Sequence, residues 1–253
     1  MESLSVVIIT FNEEKNIGRC LGSVKDVADE IVVVDSFSTD RTMAICLEHH
    51  ARVIQHPFDG YIEQKNFAIT QVTHSLVLSL DADEALSPEL KSSILREKEN
   101  RRHSIYRMNR LTNYCGTWIR HGSWYPDRKI RLFIRGTGKW GGRNPHDQYE
   151  PIDNSSIGFL QGDILHYSYY SIEGHRKQAE KFALIGAKSS FEAGVKPSGI
   201  RLLIRPAFRF FRDYILLGGF LDGSSGFRIA RMSAQATFWK YSELNKLWKE
   251  KKS

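Results

Sequence analysis

The stretch LVLSLDADEALSPEL, residues 76–90, decides the fold. Its first five residues form an apolar run with only Ser79 interrupting, the pattern of a strand buried on both faces of a sheet. Ser87-Pro88 then supplies a side-chain cap and a proline at the first helical position, so a helix is predicted from there to Asn100. Upstream, the same strand-then-helix order repeats. SVVIIT (5–10) and EIVVVD (30–35) are β-branched runs. The first leads into a helical stretch from Glu13 to about Ser23, with apolar returns at Ile17 and Leu21. The second leads into a helix that Thr39-Asp40 can cap and that runs to His49. Residues 52–55 give a short third strand, and residues 60–72 read as a helix. Four βα units in series predict an α/β protein built on a doubly wound sheet.

Beyond residue 103 short alternating segments (104–110, 129–134, 157–161) predict antiparallel or mixed strands added to that sheet. A helix is predicted from Ser171 to about Ala193, a linker over 196–199, and two further helical stretches after it. Of the 253 residues, 36 are Lys or Arg and 29 are Asp or Glu, a net charge of +7. Residues 196–253 hold 12 of the basic and 4 of the acidic residues, so the entire positive excess lies in the tail. That placement predicts one local basic surface and no nucleic-acid partner. Cys20, Cys46 and Cys115 form no CxxC pair and fit neither a disulfide framework nor a four-ligand zinc site, which predicts a reducing compartment. No secretory leader and no transmembrane helix are predicted, so a cytoplasmic location is expected, or one on the cytoplasmic face of a membrane.

Ligands of a doubly wound sheet bind beyond the carboxyl ends of its strands. Thr10, Asn12 and Glu13 follow the first strand here, Asp35 ends the second, and Asp81 and Asp83 follow the fourth. There is no GxGxxG after the first strand and no GxxxxGK[ST]. Carboxylates gathered beside phosphates call for a divalent cation with oxygen ligands, Mg²⁺ or Mn²⁺. Taken alone, Asp81-Ala82-Asp83 reads first as a solvated turn capping the next helix; its place directly after a buried strand, at the ligand-binding edge, favours the functional reading.

SVVIITFNEE, EIVVVDSFSTDRT, the QKN at 64–66 and LVLSLDADEALSPEL, in this order and spacing, resemble glycosyltransferase family 2 with its GT-A fold. The likeness covers about residues 3–165. RLFIRGTGKWGG (131–142), LHYSY (165–169) and RPAFRFFRDYILLGGFLDG (205–223) resemble the lipopolysaccharide-core subgroup of bacteria. The resemblance implies a GT-A catalytic domain over 1–170, with a nucleotide-sugar half (1–100) and an acceptor half (101–170), and a helical, membrane-associating extension over 171–253. It implies that Thr10, Asn12, Glu13 and Asp35 line the nucleoside site. Lys65 would neutralise phosphate charge, Asp81 would contact ribose or metal, and Asp83 would coordinate the metal. His166 stands either as a further metal ligand or as a histidine satisfied by local hydrogen bonds. The catalytic base of an inverting displacement should follow the metal motif. In GGRNPHDQYEP (141–151) that is Asp147, with Glu150 as the fallback; the subgroup commonly has Glu where Asp147 stands. Trp118, Trp124 and Tyr125 could stack on acceptor sugar or pack a core, and Arg128 and Arg131 could hold phosphate or face solvent.

Arg201, Arg205, Arg209 and Arg212 recur at helical spacing among aromatic and aliphatic residues. A basic amphipathic surface over 201–241 suits an anionic membrane. The expected activity is transfer of a hexose from a nucleotide sugar, UDP-linked, to a lipid-anchored envelope glycan such as lipopolysaccharide core. Polyprenyl phosphate or another envelope glycan is the alternative acceptor. Two further classes are a phosphoacceptor signalling domain, for which the chain is too long, and a catalytically inactive nucleotide-sugar-binding protein.

Overall fold

The computed structural model describes residues 1–143, 146–152 and 156–251. Four parallel strands carry its first half: β1 (Leu4–Thr10), β2 (Glu30–Asp35), β3 (Arg52–Gln55) and β4 (Leu76–Asp81), arranged β3-β2-β1-β4. Their β-branched runs are buried because helices lie on both faces, which is the arrangement that parallel crossovers impose. The helices are α1 (Ile17–Val24), α2 (Thr42–Glu48), α3 (Tyr61–Thr70) and α4 (Pro88–Glu99). Ser87 caps α4 through the Leu90 amide at 3.2 Å, with Pro88 at the first turn, as the sequence predicts. α2 begins later than expected, at Thr42, yet Asp40 still accepts from the Thr42 amide at 2.9 Å.

After β5 (Glu84–Leu86) the sheet turns antiparallel. β6 (Ile105–Tyr114), β8 (Asp127–Ile134) and β11 (Ile157–Tyr169) extend it in the order β4-β8-β6-β11-β5. Four strands escape sequence reading because they are short or lack alternation: β5, β7 (Thr117–Ile119) and the separate hairpin pair β9 (Gly138–Arg143) and β10 (His146–Pro151). The core divides into two layers. One packs α1 and α4 against the sheet through Ile17, Leu21, Leu90 and Ile94. The other packs α3 and the hairpin through Ala68, Trp140 and Tyr149, with Tyr149 stacked on Phe133 at 3.9 Å.

Two compact units emerge, and their boundary differs from the one expected at residue 170. The first comprises residues 1–110 and 127–167, the second 111–126 and 168–253. The excursion 111–126 joins the second unit because its aromatic side chains are completed there. Tyr114 and Ile119 pack with Ile229, and Trp124 stacks on Tyr169 at 5.4 Å. The second unit continues through α5 (Ile172–Glu192), α6 (Gly199–Phe211), a π-helical turn (Arg212–Leu216) and α7 (Gly223–Glu250). Gly226 is required by close approach: a Cβ there would lie 1.8 Å from the Gly219 carbonyl oxygen. Among the described residues, no helix is long and apolar enough to cross a membrane.

Candidate active site

The carboxyl ends of β1 and β2 are tied together by the polar side chains that follow them. Asn12 sits in the left-handed region (φ 53°), which Asn tolerates. Its amide donates to Ser38 Oγ and its Oδ1 accepts from the Thr39 amide, both at 2.8 Å. Asp35 is fully buried and accepts from both the amide and the hydroxyl of Ser38. Thr10 Oγ1 is buried there without a hydrogen-bond partner among the described residues. Glu13 accepts from Asn16 at 2.7 Å, and its pKa is raised, first by burial and then by the nearby negative charges of Asp83, Asp40 and Asp81. Phe11 and Phe37 add two half-exposed rings at this edge; sequence reasoning missed Phe37, which holds φ 61°, an uncommon conformation for a bulky residue.

Each residue of the QKN segment has a distinct task. Gln64 donates to Ser36 Oγ at 3.0 Å and pairs with His56 Nδ1 at 2.9 Å, fixing the end of β2. Asn66 exchanges two 2.9 Å hydrogen bonds with the backbone of Trp140, so its amide holds the hairpin as a neighbouring strand would. Lys65, only 2% exposed, lies between two carboxylates: 2.8 Å from Asp81 Oδ1 and 2.7 Å from Asp147 Oδ2. Trp140 lies beneath it, the ammonium 4.5 Å from the ring centroid.

Arg131 reaches the same place by a different device. Tyr106 opposes Leu132 and Arg107 opposes Ile130, so Arg131 is the extra residue of a β-bulge. The bulge aims its guanidinium at Asp81 (2.9 Å) and at Glu84 (3.0 Å), a fully buried carboxylate that sequence reasoning also missed. Burial works against the charge of Asp81, but Lys65 and Arg131 outweigh it and hold the carboxyl well below the usual range. For the same reason Arg131 is held firmly protonated: burial opposes its charge, and Glu84 and Asp81 more than compensate.

Lys65 and Arg131 already compensate the charge of Asp81, which makes it the weaker metal ligand, although its buried Oδ1 makes no hydrogen bond among the described residues. Asp83 and His166 are the better pair. His166 Nε2 lies 3.1 Å from Asp83 Oδ2, and its Nδ1 is buried without a partner among the described residues. Among the described residues no three His, Cys, Asp or Glu side chains converge as a ready-made cage. Two protein ligands suit Mg²⁺ or Mn²⁺, which complete their shells with substrate phosphates and water. The repulsion from Asp83, Asp40 and Asp81, which adds to burial in raising the pKa of Glu13, also fits a cation at this edge.

Asp147, Glu150, Arg128 and Arg131 line one cavity of about 720 Å³, together with Lys65 and Asp81. Trp124 is placed elsewhere, in the aromatic core of the second unit with Tyr114, Tyr169 and His175. Residues 5–164 match the family described as Glycosyl transferase family 2. The chain belongs to glycosyltransferase family 2. Its parallel strands followed by antiparallel ones form the GT-A type of mixed sheet expected for such an enzyme. This glycosyltransferase is 32% identical to an uncharacterized glycosyltransferase of Rickettsia typhi, over 98% of this chain and 88% of the relative. It is 30% identical to the lipopolysaccharide core biosynthesis glycosyltransferase LpsC of Rhizobium meliloti, over 93% of this chain and 89% of LpsC. Among solved structures, S. aureus TarS 1-349 aligns over 98% of this chain and 92% of that chain, at 16% identity and a TM-score of 0.48. A glucosyl-3-phosphoglycerate synthase of Mycobacterium tuberculosis aligns over 44% of each chain, at 23% identity and a TM-score of 0.37. Likeness at that level carries no functional argument.

Proposed function

We propose that this glycosyltransferase inverts the anomeric carbon of a hexose as it moves it from a nucleotide sugar, UDP-linked, to a lipid-anchored envelope glycan of the lipopolysaccharide-core type. One observation carries the reading: the ion-pair chain Asp81–Lys65–Asp147 sets a carboxylate on the wall of a cavity that Asp81, at the end of β4, also lines. Asp147 Oδ2 accepts from Lys65, and Oδ1 makes no hydrogen bond among the described residues. That oxygen takes the proton of the acceptor hydroxyl while the acceptor oxygen bonds to the anomeric carbon. The bond from that carbon to the diphosphate breaks, and the nucleoside diphosphate leaves with the electron pair. Thr10, Asn12, Glu13 and Asp35 form the nucleoside edge, and Asp81 serves by holding Lys65 and Arg131 in place.

A divalent cation, held by Asp83 and His166, would supply charge neutralisation for the departing diphosphate. The lipopolysaccharide-core name of LpsC, a relative matching over nearly its whole length, supports the acceptor class. The exposed apolar residues of α6, such as Leu203 and Phe208, support a peripheral position on the inner face of the cytoplasmic membrane, in keeping with a lipid-anchored acceptor.

A thermal-shift screen of nucleotide sugars with Mn²⁺ tests the donor, since a ligand binding only the folded state raises its stability with concentration. Stabilisation by one UDP-sugar, lost in Asp83→Ala or on adding EDTA, is expected. A donor shift of equal size with and without metal would reject the cation, and no shift with any nucleotide sugar would reject the donor class.

A further inference from the structure

We propose that the acceptor carries an anionic substituent, a phosphate or a carboxylate, and that Arg107 and Arg128 bind it. The inference rests on the cavity being the acceptor site of the proposed transferase. Six cationic side chains line that cavity, and four of them are neutralised within the protein. Lys65 pairs with Asp81 and Asp147, Arg131 with Asp81 and Glu84, and Arg110 and Lys129 with Asp127. Arg107 and Arg128 have no carboxylate partner among the described residues; Arg128 has only the ring of Phe159, 5.8 Å away.

The strand register brings these two together. Asn109 opposes Arg128 across the β6–β8 pair, and Arg107 lies two residues from Asn109 on the same strand. Residues two apart on a strand share a face, so Arg107 and Arg128 are diagonal neighbours on one face. Two adjacent guanidiniums repel each other unless an anion lies between them, and their fork geometry matches phosphate or carboxylate oxygens. The cavity is walled by the two base candidates, Asp147 and Glu150. Thr10, Asn12, Asp35, Asp83 and His166 are not among its lining residues, which separates the arginine pair from the nucleoside and metal edge. The anion therefore belongs to the acceptor and not to the donor diphosphate.

The test is calorimetric binding of three probes to the full chain saturated with UDP and Mg²⁺: glucose 6-phosphate, glucuronate and methyl glucoside. At least one anionic hexose should bind tenfold or more tightly than the neutral one, and comparison of the two tells phosphate from carboxylate. The Arg107→Gln/Arg128→Gln double variant should lose that preference and keep its UDP affinity. Equal binding of all three probes, or a preference that survives in the double variant, overturns the proposal. So does a loss of UDP affinity in the variant, which would assign the arginines to the donor. If the wild type fails to bind UDP, the donor reading falls, and the same probes without nucleotide still decide the arginine site.

Discussion

Lys65 is an ammonium almost wholly removed from water, and it is tolerable only because two carboxylates from distant parts of the chain meet it. Removing one partner of such a buried group leaves an uncompensated charge, a loss of about 3–5 kcal/mol. The informative change at Asp147 is therefore to Asn, which still offers an oxygen to Lys65 but is a poor proton acceptor. Asp147→Asn should reduce transfer by about 10²–10⁴-fold while donor affinity, measured by calorimetry, stays within a factor of a few. Glu150 lines the same cavity, with Gln148 as its neighbour at 3.3 Å. A Glu150→Gln variant that is inactive beside an active Asp147→Asn would move the base to Glu150.

At the level of elements, the site depends on a hairpin that Asn66 fastens to α3 beside the Lys65–Asp147 ion pair. Asn66→Ala would leave the buried amide and carbonyl of Trp140 without their partners, a cost of about 1–3 kcal/mol. A lower melting temperature, with transfer reduced more than UDP binding, is expected, because the hairpin carries Asp147 and not the nucleoside edge. A variant with unchanged melting temperature would refute the fastening role. Glu30, opening β2, is a second fastening point. Partial burial works against its charge, but donors from Ser5, Thr73 and Arg52 bring its pKa down to about 2 from an ordinary 4.5. A carboxyl whose folded pKa is depressed contributes stability above 4.5 that is lost as pH falls toward 2. Urea unfolding of Glu30→Gln should therefore show less loss between those pH values than the wild type; parallel curves would contradict it.

At the scale of the whole molecule, the surplus charge of the tail proves to be partly internal to its own unit. Asp213, 2% exposed, is bound by Arg209 and Arg212, so two of the four arginines that suggest a lipid-facing stripe are engaged within the protein. Arg205 donates to the Tyr241 hydroxyl. What α6 leaves outside is apolar: Ile200, Leu203, Ile204 and Phe208 are each more than half exposed. Membrane contact is thus better tested on these than on the arginines, whose replacement would strand Asp213. The wild type should sediment with phosphatidylglycerol-containing vesicles, and Leu203→Asp/Phe208→Asp should remain in the supernatant with its melting temperature kept. A wild type that never sediments would end the membrane proposal.

The sequence by itself determined the parallel half of this fold and the residues that stand at its strand ends. A strand buried on both faces must be a continuous apolar run, and its polar terminus follows within one or two residues, so Thr10, Asp35 and Asp81 could be read locally. The α4 cap was legible for the same reason, since Ser87 and Pro88 act on their own helix. Only the tertiary structure decided what those residues touch. The Lys65–Asp147 pair spans 82 positions, and the bulge that turns Arg131 inward depends on the register of two strands. The excursion 111–126 leaves its neighbours in the chain because Tyr114 and Trp124 find their packing partners at Tyr169 and His175. Charge pairing and aromatic packing act through space between segments far apart in the chain, and no short-range pattern of residues records them.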